Sequence, residues 1–418
     1  MDELLREPAA EIARKTVGRS LLAFAAVQAV VITGLVVVDI VKKRDRTKRK
    51  GFPHPGVFEK TIADTLVTTY TYGADLYSDM LQAIREAKES ILIETFIWKD
   101  DETGKQFKNA INEAASRGVE VFLIYDGFAN LVVPTSFFRF HPDVHVHRFP
   151  VLRTSMLTKT IRSTGLDHRK LLIVDGEIGF VGGYNIGSLY ATEWRDTHLR
   201  LVGPSVWDLR QAFVNVWNEN ASGTTPEIPH TRPEVWEPRI RAVNNIPSDL
   251  VFPIRGVYLD AITRAQKHIY VTMAYFIPDQ QILRALLAAS RRGVDVRIIL
   301  PEDSNHVLSD WLSRGFYRSL LNDGVTILLY RNAMIHAKTA TIDGSWSTVG
   351  SANIDRLSLT GNYEINLEIH DEDFASDMQK IFEIDSRNAK VLTVDEWQDR
   401  SLLSRFSETV LIPLRPLL

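Results

Sequence analysis

Two short stretches of this 418-residue chain hold side chains able to do chemistry, and they hold the same ones. Residues 168–187 read HRKLLIVDGEIGFVGGYNIG, and residues 336–355 read HAKTATIDGSWSTVGSANID. His168, Lys170, Asp175, Gly182 and Asn185 recur as His336, Lys338, Asp343, Gly350 and Asn353, always displaced by 168 positions. The same displacement carries Asp196 onto Glu364. Residues two apart on a strand face one side, so each histidine projects together with its lysine. Asp196 lies 28 residues after His168, and Glu364 lies 28 after His336, on the strands RDTHLRLV and YEINLEIH. A carboxylate so placed is expected to accept the Nδ1–H of the histidine in its own copy, leaving Nε2 free and stabilising the positive charge that forms on attack. An imidazole of that kind suits nucleophilic or acid–base work.

The remaining motif residues have distinct roles. Asp175-Gly176 and Asp343-Gly344 are hairpin-turn dipeptides between apolar runs. These two aspartates belong to the catalytic motif, yet by position they are expected to fix a turn or hold a neighbour and not to touch substrate. Asn185 and Asn353 follow the small pairs Gly182-Gly183 and Gly350-Ser351, which let the backbone approach a ligand closely. One H-x-K-x-x-x-x-D match arises by chance in roughly a few per cent of chains of this length. Two that share an asparagine and a carboxylate at one displacement do not.

The elements that position these residues also repeat. Residues 81–128 read as a helix, an apolar strand (ILIETFIW), a helix and a second strand (VEVFLIYD), and residues 259–301 repeat the pattern. Alternating helices with near-continuous Val/Ile/Leu strands predict an α/β fold of two similar lobes, each a mixed sheet flanked by helices. The first lobe is expected over 61–220 and the second over 248–390. Between them, 221–247 holds Pro226, Pro229, Pro233 and Pro238 with little periodicity and reads as a linker.

Before the lobes, Leu21 to Val38 runs for eighteen residues without a charge. At about 1.5 Å per residue it reaches about 27 Å, close to the hydrocarbon thickness of a bilayer. A transmembrane anchor is expected over 19–41, after a tail at 1–18 and before a basic linker at 42–60. Residues 42–50 (KKRDRTKRK) carry seven basic groups against Asp45, whereas the basic residues before the span are balanced by acidic ones. That asymmetry predicts a single pass with the lobes on the cytoplasmic side. The tail 391–418 has Leu402, Leu403, Phe406, Val410 and Leu411 at partly helical spacing, which suits either a membrane surface or a cap on the second lobe. Two further readings come from composition. No cysteine is present, which excludes disulfides and thiolate chemistry. Lys+Arg 49 against Asp+Glu 52 gives a net charge of -3, which disfavours nucleic acid as a partner.

The paired HxKxxxxD motifs, each followed by small residues and an asparagine, resemble those of the phospholipase D superfamily. Within it, WRDTHLRLVGPSV (194–206) and the motifs are most similar to bacterial cardiolipin synthases, over roughly 60–390 and the C-terminal tail. The resemblance implies a bacterial inner-membrane phosphatidyltransferase that joins two phosphatidylglycerol molecules into cardiolipin and releases glycerol. One histidine, His168 by family habit, attacks phosphorus while the other, His336, protonates the leaving alcohol. Lys170, Lys338, Asn185 and Asn353 hold the phosphate oxygens. No metal and no other cofactor is expected. The alternatives are hydrolysis to phosphatidic acid, an anchored nuclease, or a scaffold that only binds lipid. The other histidines, His306 and His198 among them, read as ordinary surface or core residues. His145 and His147 share a strand face without a third ligand in view. The segment 149–162 (FPVLRTSMLTKTIR) reads as a loop that dips into the membrane interface.

Overall fold

The computed structural model describes residues 19, 22–39, 51–150, 165–221, 225–233 and 237–417. The basic stretch 42–50 and residues 151–162 of the expected interfacial loop lie outside them. Strands β1 (Val57–Ile62), β2 (Thr65–Tyr70), β3 (Ser90–Thr95), β4 (Glu120–Asp126), β5 (Val144–Phe149), β6 (Leu171–Val174), β7 (Ile178–Gly182), β8 (Trp194–Arg195) and β9 (His198–Val202) come from the first half. The second half supplies β10 (Ile240–Asn245), β11 (His268–Met273), β12 (Asp295–Pro301), β13 (Thr326–Tyr330), β14 (Met334–Ile335), β15 (Lys338–Ile342), β16 (Trp346–Gly350), β17 (Glu364–His370) and β18 (Ala389–Leu392).

Two eight-stranded mixed sheets result, in the orders β1-β2-β9-β7-β6-β3-β4-β5 and β10-β17-β16-β15-β11-β12-β13-β18. In each, a parallel trio (β3-β4-β5, β11-β12-β13) continues into antiparallel strands that carry the motifs. The trio strands are apolar because helices cover them. Ile91, Ile93, Val121 and Leu123 are buried beneath the helices Gly73–Glu86 and Glu102–Ser116. Asp101 starts the second of these helices by accepting the Gly104 N–H at 2.9 Å, as Asp279 starts the helix Gln280–Arg291.

Two strands fall in stretches expected to be linker. Residues 57–60 belong to β1, and 240–245, after the prolines, form β10 against β17. Each runs along a sheet edge, where short mixed-polarity sequences such as IRAVNN give little periodic signal. The lobes also share a core. Leu171, Leu199, Leu201 and the helix Val206–Asn220 pack in one cluster with Tyr363, Ile365, Leu367 and the helix Glu372–Arg387.

The Asp-Gly hairpin turns connect β6 to β7 and β15 to β16. Asp175 and Asp343 sit at φ 53 and 55, with Gly176 and Gly344 also at positive φ. The Asp175 carboxylate accepts the backbone N–H groups of Lys88, Glu89 and Ser90, the last two at 2.8 and 2.9 Å. Asp343 accepts those of Gln266, Lys267 and His268 at 2.8, 2.8 and 2.9 Å. Burial pushes the Asp343 carboxyl up, but these three donors outweigh it and hold the group below the usual carboxylate range. Asp343→Ala leaves three backbone donors without their acceptor and is expected to cost about 1–3 kcal/mol of stability. Because the folded pKa is depressed, that contribution is present at neutral pH and fades as pH falls through the folded value. Chemical denaturation at pH 7 and pH 3 checks this: the gap between wild type and variant should narrow at the lower pH.

Candidate active site

The antiparallel strands bring both motifs to one cleft of about 300 Å³, lined by His168, Asn185, His336 and Asn353. The backbone builds this meeting as a pair of matching cross-lobe contacts. The His168 N–H donates to the Tyr363 carbonyl at 3.0 Å, and the His336 N–H donates to the Arg195 carbonyl at 2.6 Å. Strand β14, just before His336, pairs in parallel with β8, just before Asp196. Each histidine therefore lies against the segment that ends in the other lobe's carboxylate.

The carboxylates follow. His168 Nδ1 lies 3.0 Å from both oxygens of Glu364, and His336 Nδ1 lies 2.6 Å from Asp196 Oδ2. This corrects the expected assignment within each copy, in which Asp196 served His168 and Glu364 served His336. The pairing is crossed because the lobes face each other, so the carboxylate 28 residues downstream of one histidine reaches the other.

Burial dominates the electrostatics. It drives His168 down to about 4 against the upward pull of Glu364, and His336 well below the ordinary imidazole value. Burial thus favours the neutral form of both imidazoles, each with Nδ1 against a carboxylate. Burial also lowers Lys170 to about 7 and Lys338 to about 8. For Lys170, the neighbouring Lys338 ammonium lowers it further. Lys338 Nζ lies 3.0 Å from His336 Nε2. A phosphate arriving between these cations would favour their charged forms. The two carboxylates differ: burial raises Asp196 to about 6, whereas His168, Lys170 and the Ser351 hydroxyl overcome burial and hold Glu364 below its usual range.

The asparagines are oriented by the protein. Asn185 Oδ1 accepts the Ile97 N–H at 3.1 Å, and Asn353 Oδ1 accepts the Tyr275 N–H at 3.4 Å. With the oxygens engaged, the amide N–H groups are the ones left to bind an anion. Asp175 and Asp343, by contrast, are absent from the cleft lining, since their carboxylates are committed to the turns. Their contacts here are those of turn residues, as the Asp-Gly dipeptides lead one to expect.

Other residues in the cleft carry no motif. Phe96 sets its ring edge-on to His168 at 4.7 Å, and Trp194 lies 5.1 Å from His336. Tyr275, His306 and Asn305 complete one wall, with Tyr275 Oη donating to Asn305 Oδ1 at 2.6 Å. His306, read from sequence as an ordinary histidine, lies in the site, and its isolated position gave no signal. Beside the opening, the segment after β4 presents Phe128, which lines the cleft, with Leu131 and Val132 57% and 83% exposed. Asp126 ties this segment to the motif by accepting the Ala129 N–H at 2.8 Å and the Asp167 N–H at 3.0 Å. Two buried ion pairs stiffen the surroundings: Arg169 with Glu94 at 2.6 Å, and Arg195 with Asp385 of the other lobe at 2.7 Å.

The crossed pairing makes a specific prediction. By NMR titration His168 should protonate near pH 4, and Glu364→Gln should lower that midpoint further while Asp196→Asn leaves it in place. A response to Asp196→Asn alone would restore the same-copy pairing. Either substitution should slow turnover by about two to four orders of magnitude, as loss of a histidine-orienting carboxylate does elsewhere.

Comparison with known proteins agrees with the geometry. The family described as cardiolipin synthase, PLD-like domain, matches residues 80–217 and 258–386. The major cardiolipin synthase of Bacillus subtilis is 32% identical over 366 residues, 85% of this chain and 76% of that protein. A cardiolipin synthase of Staphylococcus aureus is 32% identical over 369 residues, 85% of this chain and 74% of its own. Among solved structures, phosphatidylserine synthase of Haemophilus influenzae shares the fold, with a TM-score of 0.65 at 15% identity over 86% of this chain and 93% of that one. The chain belongs to the phospholipase D-like cardiolipin synthase family and is an enzyme of the phosphatidyltransferase type.

Proposed function

We propose that the protein joins two phosphatidylglycerol molecules into cardiolipin and releases glycerol, through a phosphohistidine on His168. The observation that carries this reading is a single cleft lined by two carboxylate-backed imidazoles and two asparagines, with the buried amines of Lys170 and Lys338 set against those histidines. In the first step His168 Nε2 attacks phosphorus, its new charge balanced by Glu364, and the glycerol oxygen leaves with a proton from His336. Asp196 steadies His336 as imidazolium once the bound phosphate has favoured its protonation. In the second step His336 takes the proton of the incoming lipid's hydroxyl, which displaces His168. Lys170, Lys338 and the amides of Asn185 and Asn353 neutralise the phosphate oxygens as charge shifts toward the transition state.

Lipid is favoured as substrate by the relatives and by the apolar surroundings. A cleft of about 300 Å³ is at the small end for ligand sites, and suits headgroups while acyl chains stay outside. Phe128, Leu131 and Val132 at its mouth offer a surface for those chains. Residues Leu22–Asp39 form one helix long and apolar enough to cross a membrane. We read it as a single-pass anchor of the bacterial inner membrane, with the lobes on the cytoplasmic side by the charge asymmetry of its flanks.

Purified protein on phosphatidylglycerol vesicles should yield cardiolipin and glycerol in equal amounts, unaffected by a chelator. His168→Ala and His336→Ala should each lower the rate at least about a thousandfold. Phosphatidic acid as the sole product would make the enzyme a hydrolase, and chelator sensitivity would contradict the metal-free path. Replacing Phe128, Leu131 and Val132 together by Ser should cut activity on vesicles about tenfold or more while sparing a short-chain soluble diester. Equal losses on both substrates would remove the mouth from lipid handling.

A further inference from the structure

The helix Leu22–Asp39 does not stand clear of the catalytic body. Val31, Ile32 and Leu35 pack against the core of the second lobe. Gln28 donates its side-chain N–H to the carbonyl of Val410 at 3.0 Å. Val410 lies in the last turn of the C-terminal helix Leu402–Leu411, which runs on as a 3-10 helix over Ile412–Leu417, where carbonyls look three residues ahead for a donor. Pro413, three residues on, has no N–H to offer. The other polar side chain of the apolar run, Thr33, donates its hydroxyl to the Ala29 carbonyl at 2.8 Å. Each polar side chain of the run thus places a donor on a carbonyl inside the protein, the kind of bond that hydrocarbon favours.

The C-terminal helix follows the same rule. Ser407, Val410 and Leu411 are buried against the second lobe. Its outer side carries Leu402, Leu403 and Phe406, with Ile412 beyond, and Leu402 and Leu403 are 80% and 73% exposed. Thr409 returns its hydroxyl to the Arg405 carbonyl at 2.8 Å, and the Arg405 guanidinium reaches back to the Gln398 carbonyl. From Asp39 to Gln28 is about 16 Å of helix at ~1.5 Å per residue, roughly half of a hydrocarbon core about 30 Å thick. A helix that spans the bilayer upright from Asp39 takes Val410 down with Gln28.

We propose that the helix Leu402–Leu411 is a second membrane element, its Leu402, Leu403 and Phe406 side in bilayer hydrocarbon beside the N-terminal helix, pinned there by the Gln28–Val410 bond. The proposal rests on the reading of Leu22–Asp39 as a membrane helix. It makes the second lobe a body seated in the leaflet and not one hanging from a tether. The His336 half of the cleft is then held at a set height above the headgroups.

The chain's lack of cysteine makes the test clean. Val30→Cys, Leu403→Cys, Phe406→Cys and, at an exposed position of the first lobe, Ser116→Cys are each labelled with a nitroxide in the full chain in phosphatidylglycerol vesicles. Retained synthase activity shows that each labelled variant is folded. Oxygen and a water-soluble nickel chelate then report depth. Labels at 403 and 406 should match that at 30, with collision with the chelate at least fivefold lower than at 116. Chelate access at 403 and 406 equal to that at 116, with 30 still shielded, overturns the proposal and leaves the anchor standing. Chelate access at 30 as well removes the anchor and the proposal together.

Discussion

Two of the hydrogen bonds that cross between the lobes, His168 to Glu364 and His336 to Asp196, are the interactions on which the rest of the structure depends. Each imidazole is buried, and a buried imidazole is useful only when one nitrogen is held and the other is presented. Here the holding group comes from the opposite lobe, so neither half is a site on its own. The shared core, the β8–β14 bridge and the Arg195–Asp385 ion pair all serve to keep the halves in register. Removing one partner of that ion pair would leave a buried charge uncompensated, the costly case for such pairs.

The two half-sites are related but not identical. Where the second copy has Ser351, whose hydroxyl donates to Glu364, the first has Gly183, and a Cβ there would meet the Asp196 carboxylate at 2.1 Å. Glu364 therefore has an added donor and is held in the ionised range, while Asp196 is raised by burial. A Glu364 held as an anion suits a histidine that carries positive charge in a covalent intermediate, the part proposed for His168. A carboxylate with a raised pKa suits one that exchanges protons.

Much of this was legible in the sequence. The displacement of 168 located the histidines and asparagines that line the cleft, and alternating helices and apolar strands announced two α/β lobes. What the displacement could not reveal is which carboxylate serves which histidine. Exchanging the partners of two equivalent copies leaves every spacing unchanged, so only the facing of the lobes decides it. The motif aspartates show the opposite case: the Asp-Gly dipeptide pointed to a turn, and Asp175 and Asp343 act there. His306, Tyr275 and Phe96 were invisible because single residues after a strand have no pattern. The Gln28–Val410 contact joins positions 382 apart, and no local signal reports that.

One phosphorus atom served in turn by two imidazoles is the central claim, and stereochemistry reads it directly. A phosphatidylglycerol made chiral at phosphorus with sulfur in place of one oxygen would be converted and its product configuration assigned. Two successive in-line displacements invert twice, so the account predicts retention. Inversion would mean that the acceptor attacks the lipid without a covalent intermediate, and would contradict it.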